Sequence, residues 1–428
     1  MLAEGSTTSP LAPKDAPSYN AVQLSSQQKG ASRRAITTNL ITGGLGSAIF
    51  SLPWSVAGSS IVPSVVIIAG VLLLNAWTIG ILVRAADRHQ EFNLGSLLGH
   101  LPGQMGPILQ ILANILVWIS CFLCLVSYMI VIHDSLQRFV IGTHLADRAY
   151  LVILASIVVL PICFLKQKHL ESTSSVAIII NIYLFVLVGV LYGRARSHDT
   201  LPDYTCWIGS TVRGEFALMS VMFQAVIVQM CVLPMYQELE ERSPKKMDSI
   251  VMTSFSVLFI IFVGFSALGY LYVGPGVQSN VLSDLPAGPY ESVAQIGTAF
   301  VVASVYPILL YPMIAPLMDM QARSFRHFTR MPSGCLVPCA KLAIVSVVAV
   351  AATYVESLGF VNTVNGAMSA CFFVAIVPSV VGFCLLEGGL LHKVSLVFLL
   401  IFGLVAGIMG LTYTGNYVED LHCLLYAK

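Results

Sequence analysis

The sequence predicts an all-α membrane protein of eleven transmembrane helices. Three observations carry that prediction: the scarcity of charge, the number of uncharged stretches long enough to cross a bilayer, and the partition of basic residues between loops. Of 428 residues 57% are hydrophobic and only 10% charged, whereas soluble domains carry about 25% charged residues. The net charge of +1 offers no basic surface that would track a phosphate backbone, so the expected surroundings are a lipid bilayer and not nucleic acid.

A helix needs about 20 mostly apolar residues to span the roughly 30 Å hydrocarbon core. Residues 35–83 hold no formal charge and are divided by Gly58, Ser59, Ser60 and Pro63, which predicts helices 1 and 2. Uncharged runs place helix 3 at 107–137, helix 4 at 149–165, helix 5 at 172–193 and helix 6 at 216–237. Helices 7 and 8 follow at 249–273 and 292–318. Helix 9 fits between Lys341 and Glu356 if both side chains reach toward headgroups. Helices 10 and 11 occupy 360–386 and 394–414, separated by Glu387, Gly388, Gly389, His392 and Lys393.

The spans define one transmembrane domain over 33–414. Before it, residues 1–32 are rich in Ser, Pro, Ala and Gln and lack the apolar core of a signal peptide, so they read as a disordered cytoplasmic N-terminal tail. Residues 415–428 read as a short C-terminal tail. With the N-terminus inside, sixteen of the 22 basic residues fall on the inner side. The outer side keeps Arg138, Arg148, Arg194, Arg196, Arg213 and Lys428, a bias that matches the enrichment of Lys and Arg in short cytoplasmic loops. Of the ten cysteines only Cys206 and Cys423 fall on the outer side, where they are candidate disulfide partners. Cys121 and Cys124 have a Cys-x-x-Cys spacing but lie mid-span, which argues against zinc or redox chemistry. No metal site, catalytic residue or cofactor is expected.

A binding site is expected where two spans are interrupted at matching depth. Helix 1 carries Asn39, Thr42, Gly43, Gly44, Gly46, Ser47, Ala48 and Ile49 in its middle; five spans later helix 6 carries Gln224, Gln229 and Pro234. Unwinding there frees peptide groups that survive in hydrocarbon only where a cavity or ligand satisfies them. A zwitterion suits such a place, its carboxylate at the positive end of the second half-helix and its ammonium at free carbonyls. The alternative reading is that the three glycines only allow close helix packing. Asp134 and His133 near the outer end of helix 3 and Asp319 near the inner end of helix 8 read as interfacial, which favours neutral or zwitterionic cargo. Cys124, Ser127 and Tyr128 on helix 3 and Ser304, Tyr306, Pro307, Tyr311, Pro312 and Pro316 on helix 8 are further polar or kinking positions.

Four patches carry a family resemblance: Gly46-Ser47-Ala48-Ile49 with Leu52-Pro53-Trp54; Ser127-Tyr128 through His133-Asp134; Leu233 to Leu239 followed by Arg242, Lys246 and Met247; and Pro307 with Pro312. In these the chain resembles the amino acid/auxin permeases, which include sodium-coupled neutral and vacuolar amino acid transporters. The resemblance implies a LeuT-like fold of five plus five inverted helices, repeat one at about 35–193 and repeat two at about 216–386, with an extra helix at about 394–414. It implies a secondary active transporter that moves amino acids, neutral ones by the argument above, by alternating access, with sodium or protons as coupling ion. Substrate is then expected at Thr42, Gly43, Gly46, Ser47, Ala48 and Ile49, at Ser127 and Tyr128, and at Gln224 and Gln229. Thr42 stands where sodium-coupled members have Asn, and Gln229 where the family often has His; Thr42 and Ser304 are the candidate sodium ligands. An amino acid sensor with little flux is the alternative. A channel or an enzyme is disfavoured, because neither a selectivity loop nor a nucleophile or nucleotide motif occurs. No Asn-x-Ser/Thr sequon is present, so a plasma-membrane and a vacuolar or lysosomal location both stay open.

Overall fold

A computed structural model describes residues 30–144, 147–164, 173–202, 204–322, 336–412 and 422–427. Most of both expected tails lies outside these residues. The first expected span is broken. Helix α1 (Arg33–Gly44) begins at the N-cap Ser32, whose side chain accepts from the Ala35 amide, and ends where the Leu45 amide closes onto Ile41 and Thr42. A 3-10 turn (Ser47–Ser51) then leads into α2 (Leu52–Ser59), with Pro53 near its start, and the two halves meet at a 42° bend. Gly46 and the polar run around it cannot sustain the helical ladder, as the sequence predicts.

Ser60, at φ 62, turns the chain into α3 (Ile61–His89). Its Oγ donates to the Gly209 carbonyl at 2.5 Å and stands 3.0 Å from the Gly209 amide. A short α4 (Leu94–Gly99) and the long α5 (Met105–Gln137) follow, then α6 (Arg148–Ile162) and α7 (Thr173–Ser197). The sixth expected span is also broken, into α8 (Val212–Ala225) and α9 (Val232–Glu238), with 226–231 outside either helix. Then come α10 (Pro244–Val273), started by the N-cap Ser243 and Pro244, and α11 (Pro289–Ala322). Next are α12 (Leu336–Tyr354), α13 (Leu358–Ser369), a π-helical stretch (Ala370–Ile376), α14 (Val377–Leu385) and α15 (Leu390–Thr412).

Among the described residues eight helices are long and apolar enough to cross a membrane, and the bent first pair makes a ninth; Arg148–Ile162 is a shorter apolar helix. Lys341 reaches the residue after α6, its Nζ donating to the Cys163 carbonyl at 2.8 Å.

The broken helices lie inside the bundle. Helix α8 sits between α2 and α13, and α5 runs along α11. Gly214 and Gly366 make this closeness possible, since a Cβ at either would stand 1.9 Å from the Gly58 carbonyl oxygen or 1.7 Å from that of Ser220. On the periphery, α15 exposes Val394, Val397, Phe398, Ile401, Val405 and Ile408, a helical stripe of the kind that faces lipid.

Arginines tie down both ends of the bundle. At one end Arg33 donates to Ser249 (2.8 Å), Arg84 pairs with Asp248 (2.6 Å), Arg88 with Glu387 (2.5 Å), and Arg242 donates to Gln90 (2.8 Å). At the other, Arg138 donates to the Leu285 and Pro286 carbonyls and Arg148 to those of Ala352 and Val355. Strands β1 (Thr205–Ser210) and β2 (His422–Ala427) pair antiparallel at this second end, joined by the Cys206–Cys423 disulfide with Cα atoms 5.8 Å apart. The cysteine pair singled out in the sequence is therefore bonded.

Candidate functional site

The break in the first span opens onto a cavity of about 290 Å³ between α1, α5, α7 and α11. Asn39, Thr42, Gly43, Gly46, Ser47 and Phe50 form one wall and Tyr128 of α5 the next. Asn181 of α7 and Thr298, Val301 and Val305 of α11 complete it. Five expected residues, Thr42, Gly43, Gly46, Ser47 and Tyr128, thus come together.

The glycines divide between the two readings of them. A Cβ at Gly44 would lie 2.6 Å from Leu258 Cδ1, so Gly44 serves close packing against α10. Around Gly43 nothing lies within 4 Å, and around Gly46 the nearest atom is Tyr128 Oη at 3.8 Å. Those two glycines face open space.

Among the described residues no Asp, Glu, Lys or Arg lines the cavity, so its polarity comes from hydroxyls, the two amides of Asn39 and Asn181, and peptide groups. At the break the Leu45 amide closes onto the Ile41 and Thr42 carbonyls and the Ile49 amide onto that of Gly46, while other peptide groups at a helix end have no partner within the helix. Positive and negative ends of two half-helices therefore meet at Gly46, an arrangement that can hold a carboxylate and an ammonium a few ångströms apart.

Other expected residues lie elsewhere. Ala48 and Ile49 are buried in the 3-10 turn, outside the cavity wall. Ser127 donates to Asn362 Oδ1 (3.0 Å), and Asn362 Nδ2 donates to Ser51 (3.0 Å), so Ser127 joins a buried network linking α5, α13 and the first span. Gln224 Nε2 donates to Cys124 Sγ at 3.1 Å, where Asn365 also donates at 3.4 Å. Gln229 turns to α3, donating to Asn75 Oδ1 (2.8 Å) and Thr78 Oγ1 (3.2 Å). The break in the sixth span is real, but residues 226–231 are not in the cavity wall. Partners inside the bundle thus take up the NH2 groups of these amides, while the carbonyl oxygens of Gln224 and Gln229 are buried without a hydrogen-bond partner among the described residues. Ser304 donates to its own helix at Phe300 and is not in the wall.

Asn39, Asn181 and Thr298 line the cavity without having been singled out as ligands. Thr298 Oγ1 is buried and lacks a hydrogen-bond partner among the described residues, while Asn181 Nδ2 donates to Ala177 and leaves its carbonyl oxygen free of that bond. A hydroxyl within a long apolar run and an amide on the expected fifth helix are visible in sequence, but which way each faces is not.

Comparison with known proteins finds similar relatives and solved structures. The chain is similar to amino acid transporter AVT6E of Arabidopsis thaliana, 22% identical over 69% of this chain and 64% of that protein. It is similar to the sodium-coupled neutral amino acid symporter 2 of Danio rerio, 22% identical over 78% of this chain and 72% of the relative. Solute carrier family 38 member 10 of Mus musculus is 24% identical over 66% of this chain, which spans 26% of that longer protein. Among solved structures, MhsT in complex with L-phenylalanine covers 91% of this chain at 11% identity and a TM-score of 0.47. The family described as transmembrane amino acid transporter protein matches residues 29–415, and the chain belongs to it.

Proposed function

We propose that this chain is a secondary active transporter that moves neutral amino acids across a membrane by alternating access, around the cavity at the broken first span. In this reading the chain crosses the bilayer eleven times, the broken α8–α9 pair and the short α6 counting with the longer spans. Its two halves form a LeuT-like five-plus-five inverted repeat, with α15 as the added helix. The N-terminus lies on the cytoplasmic side. The observation that carries the reading is a charge-free cavity into which Gly43 and Gly46 present bare backbone at a helix break. A zwitterion with a neutral side chain matches it, because a charged side chain would meet no opposite charge there.

The coupling ion is sodium or a proton. Thr42 stays a candidate ligand because it lines the cavity. Thr298 replaces Ser304 as its partner, since its buried hydroxyl lacks another bond and sodium accepts hydroxyl and carbonyl oxygens. No observation favours the sensor reading. Uptake of a panel of amino acids into proteoliposomes, with sodium and pH gradients imposed separately, tests the proposal. Accumulation of a neutral amino acid driven by one gradient, and weakened in Thr298→Val, is the expected result; saturable binding without accumulation refutes transport.

A further inference from the structure

At the end of the bundle that carries Arg33, two cavities adjoin along α14 and α15. One, of about 370 Å³, is an apolar groove between Phe383, Val394, Val397, Phe398 and Ile401, with Lys393 at its end. The other, of about 420 Å³, is lined by Arg88, His89, Glu387 and again Lys393 and Phe383. Sharing Phe383 and Lys393 makes them consecutive stretches of one channel, apolar along the helix and polar at its mouth. From Lys393 to Ile401 the groove runs about 12 Å along the helix axis.

We propose that this channel binds one anionic phospholipid, its phosphate between Arg88 and Lys393 and one acyl chain in the groove. The pattern of charge argues for that occupant. Two cations flank the mouth, and α15 begins there at Leu390, so its first amides add to the positive field. His89 lines the mouth beside them. Glu387 is the one carboxylate at the mouth among the described residues, held by Arg88 at 2.5 Å with its side chain 87% exposed. A phosphate competes with that exposed carboxylate for Arg88, which can offer its fork to either. An apolar stripe alone would accept any lipid tail; a basic mouth continuous with the groove selects the headgroup.

The test is independent of transport. The full chain is purified, incubated with phosphatidylglycerol or phosphatidylcholine, and the bound lipid is counted by native mass spectrometry, with thermal melting as a check of folding. One phosphatidylglycerol is expected to stay bound in preference to phosphatidylcholine. Arg88→Gln and Lys393→Gln should each weaken it roughly five-fold. Glu387→Gln should tighten it, and Val397→Trp should weaken the lipid by filling the groove. Equal retention of the two lipids, unchanged binding in both cation variants, or binding of free glycerol 3-phosphate as tight as that of the lipid overturns the proposal.

Discussion

Replacing Gly46 by leucine separates a cavity-lining glycine from a packing one. At Gly46 the backbone sits at φ −85, ψ −163, which any L-residue adopts. A Cβ there meets only ordinary contacts, Tyr128 Oη at 3.8 Å and the Gly43 carbonyl oxygen at 3.9 Å. The chain should therefore fold, and its stability should change by less than about 1 kcal/mol. The remaining leucine carbons project into a cavity of about 290 Å³, at the low end of the roughly 300–1,000 Å³ of small-molecule sites. Losing one hydrogen bond to a charged substrate group costs about 1.5–3 kcal/mol, a factor of about 10–150 in affinity. Uptake by Gly46→Leu should accordingly fall at least ten-fold, with Gly46→Ala between it and the parent. Gly44→Ala is the control: its Cβ would lie 2.6 Å from Leu258 Cδ1, so its cost of up to about 3 kcal/mol appears in the melting temperature. Initial uptake rates in proteoliposomes beside melting curves decide the matter. Parental uptake in Gly46→Leu, or a melting loss there as large as in Gly44→Ala, would refute the reasoning.

Asn362→Ala leaves the Ser127 hydroxyl and one side of Ser51 without a partner, and each buried unsatisfied group costs about 1–3 kcal/mol. Melting should drop clearly for this variant and stay within about 0.5 kcal/mol for Ser304→Ala, whose hydroxyl bonds only its own helix; equal effects would contradict the network. Asp284 lies in the loop between α10 and α11, and burial raises its carboxyl from 3.8 to about 6 against the opposing Gln278 amide. The folded form therefore holds this proton more tightly than the unfolded one, a contribution fully present below about pH 4 and lost as pH rises through 6. Melting curves from pH 4 to 7 should show that loss, and Asp284→Asn should flatten it; an identical slope in the variant counts against it. Reducing Cys206–Cys423 removes the covalent tie of β2 to β1, and a two-stranded ribbon alone is marginal in water. Protease should then cut beyond Thr412 faster in reductant, and an unchanged rate would show the strand pairing to suffice.

Hydropathy read most of the spans, eight helices and the bent first pair being long and apolar enough to cross a membrane among the described residues, because a bilayer admits few solutions for a backbone that must satisfy its own hydrogen bonds. Helix 9 forms over Leu336–Tyr354 despite Lys341, whose ammonium is taken up by the Cys163 carbonyl. The break at Gly43–Gly46 and the one before Pro234 were both legible, since glycine and proline weaken the helical ladder wherever they stand. The π-helical stretch at Ala370–Ile376 had no such signal.

Composition and local backbone preference thus dictated the class of protein, the positions of its helices and where two of them break, for each depends on neighbours along the chain. Facing is another matter. Gly44 touches Leu258 while Gly43, about 1.5 Å of helical rise away, touches nothing; Gln229 turns to Asn75, and Thr298 rather than Ser304 looks into the cavity. Those outcomes rest on how helices distant in sequence rotate and pack against one another. A rotation of one helix exchanges a wall residue for a buried one without altering a letter of its apolar pattern.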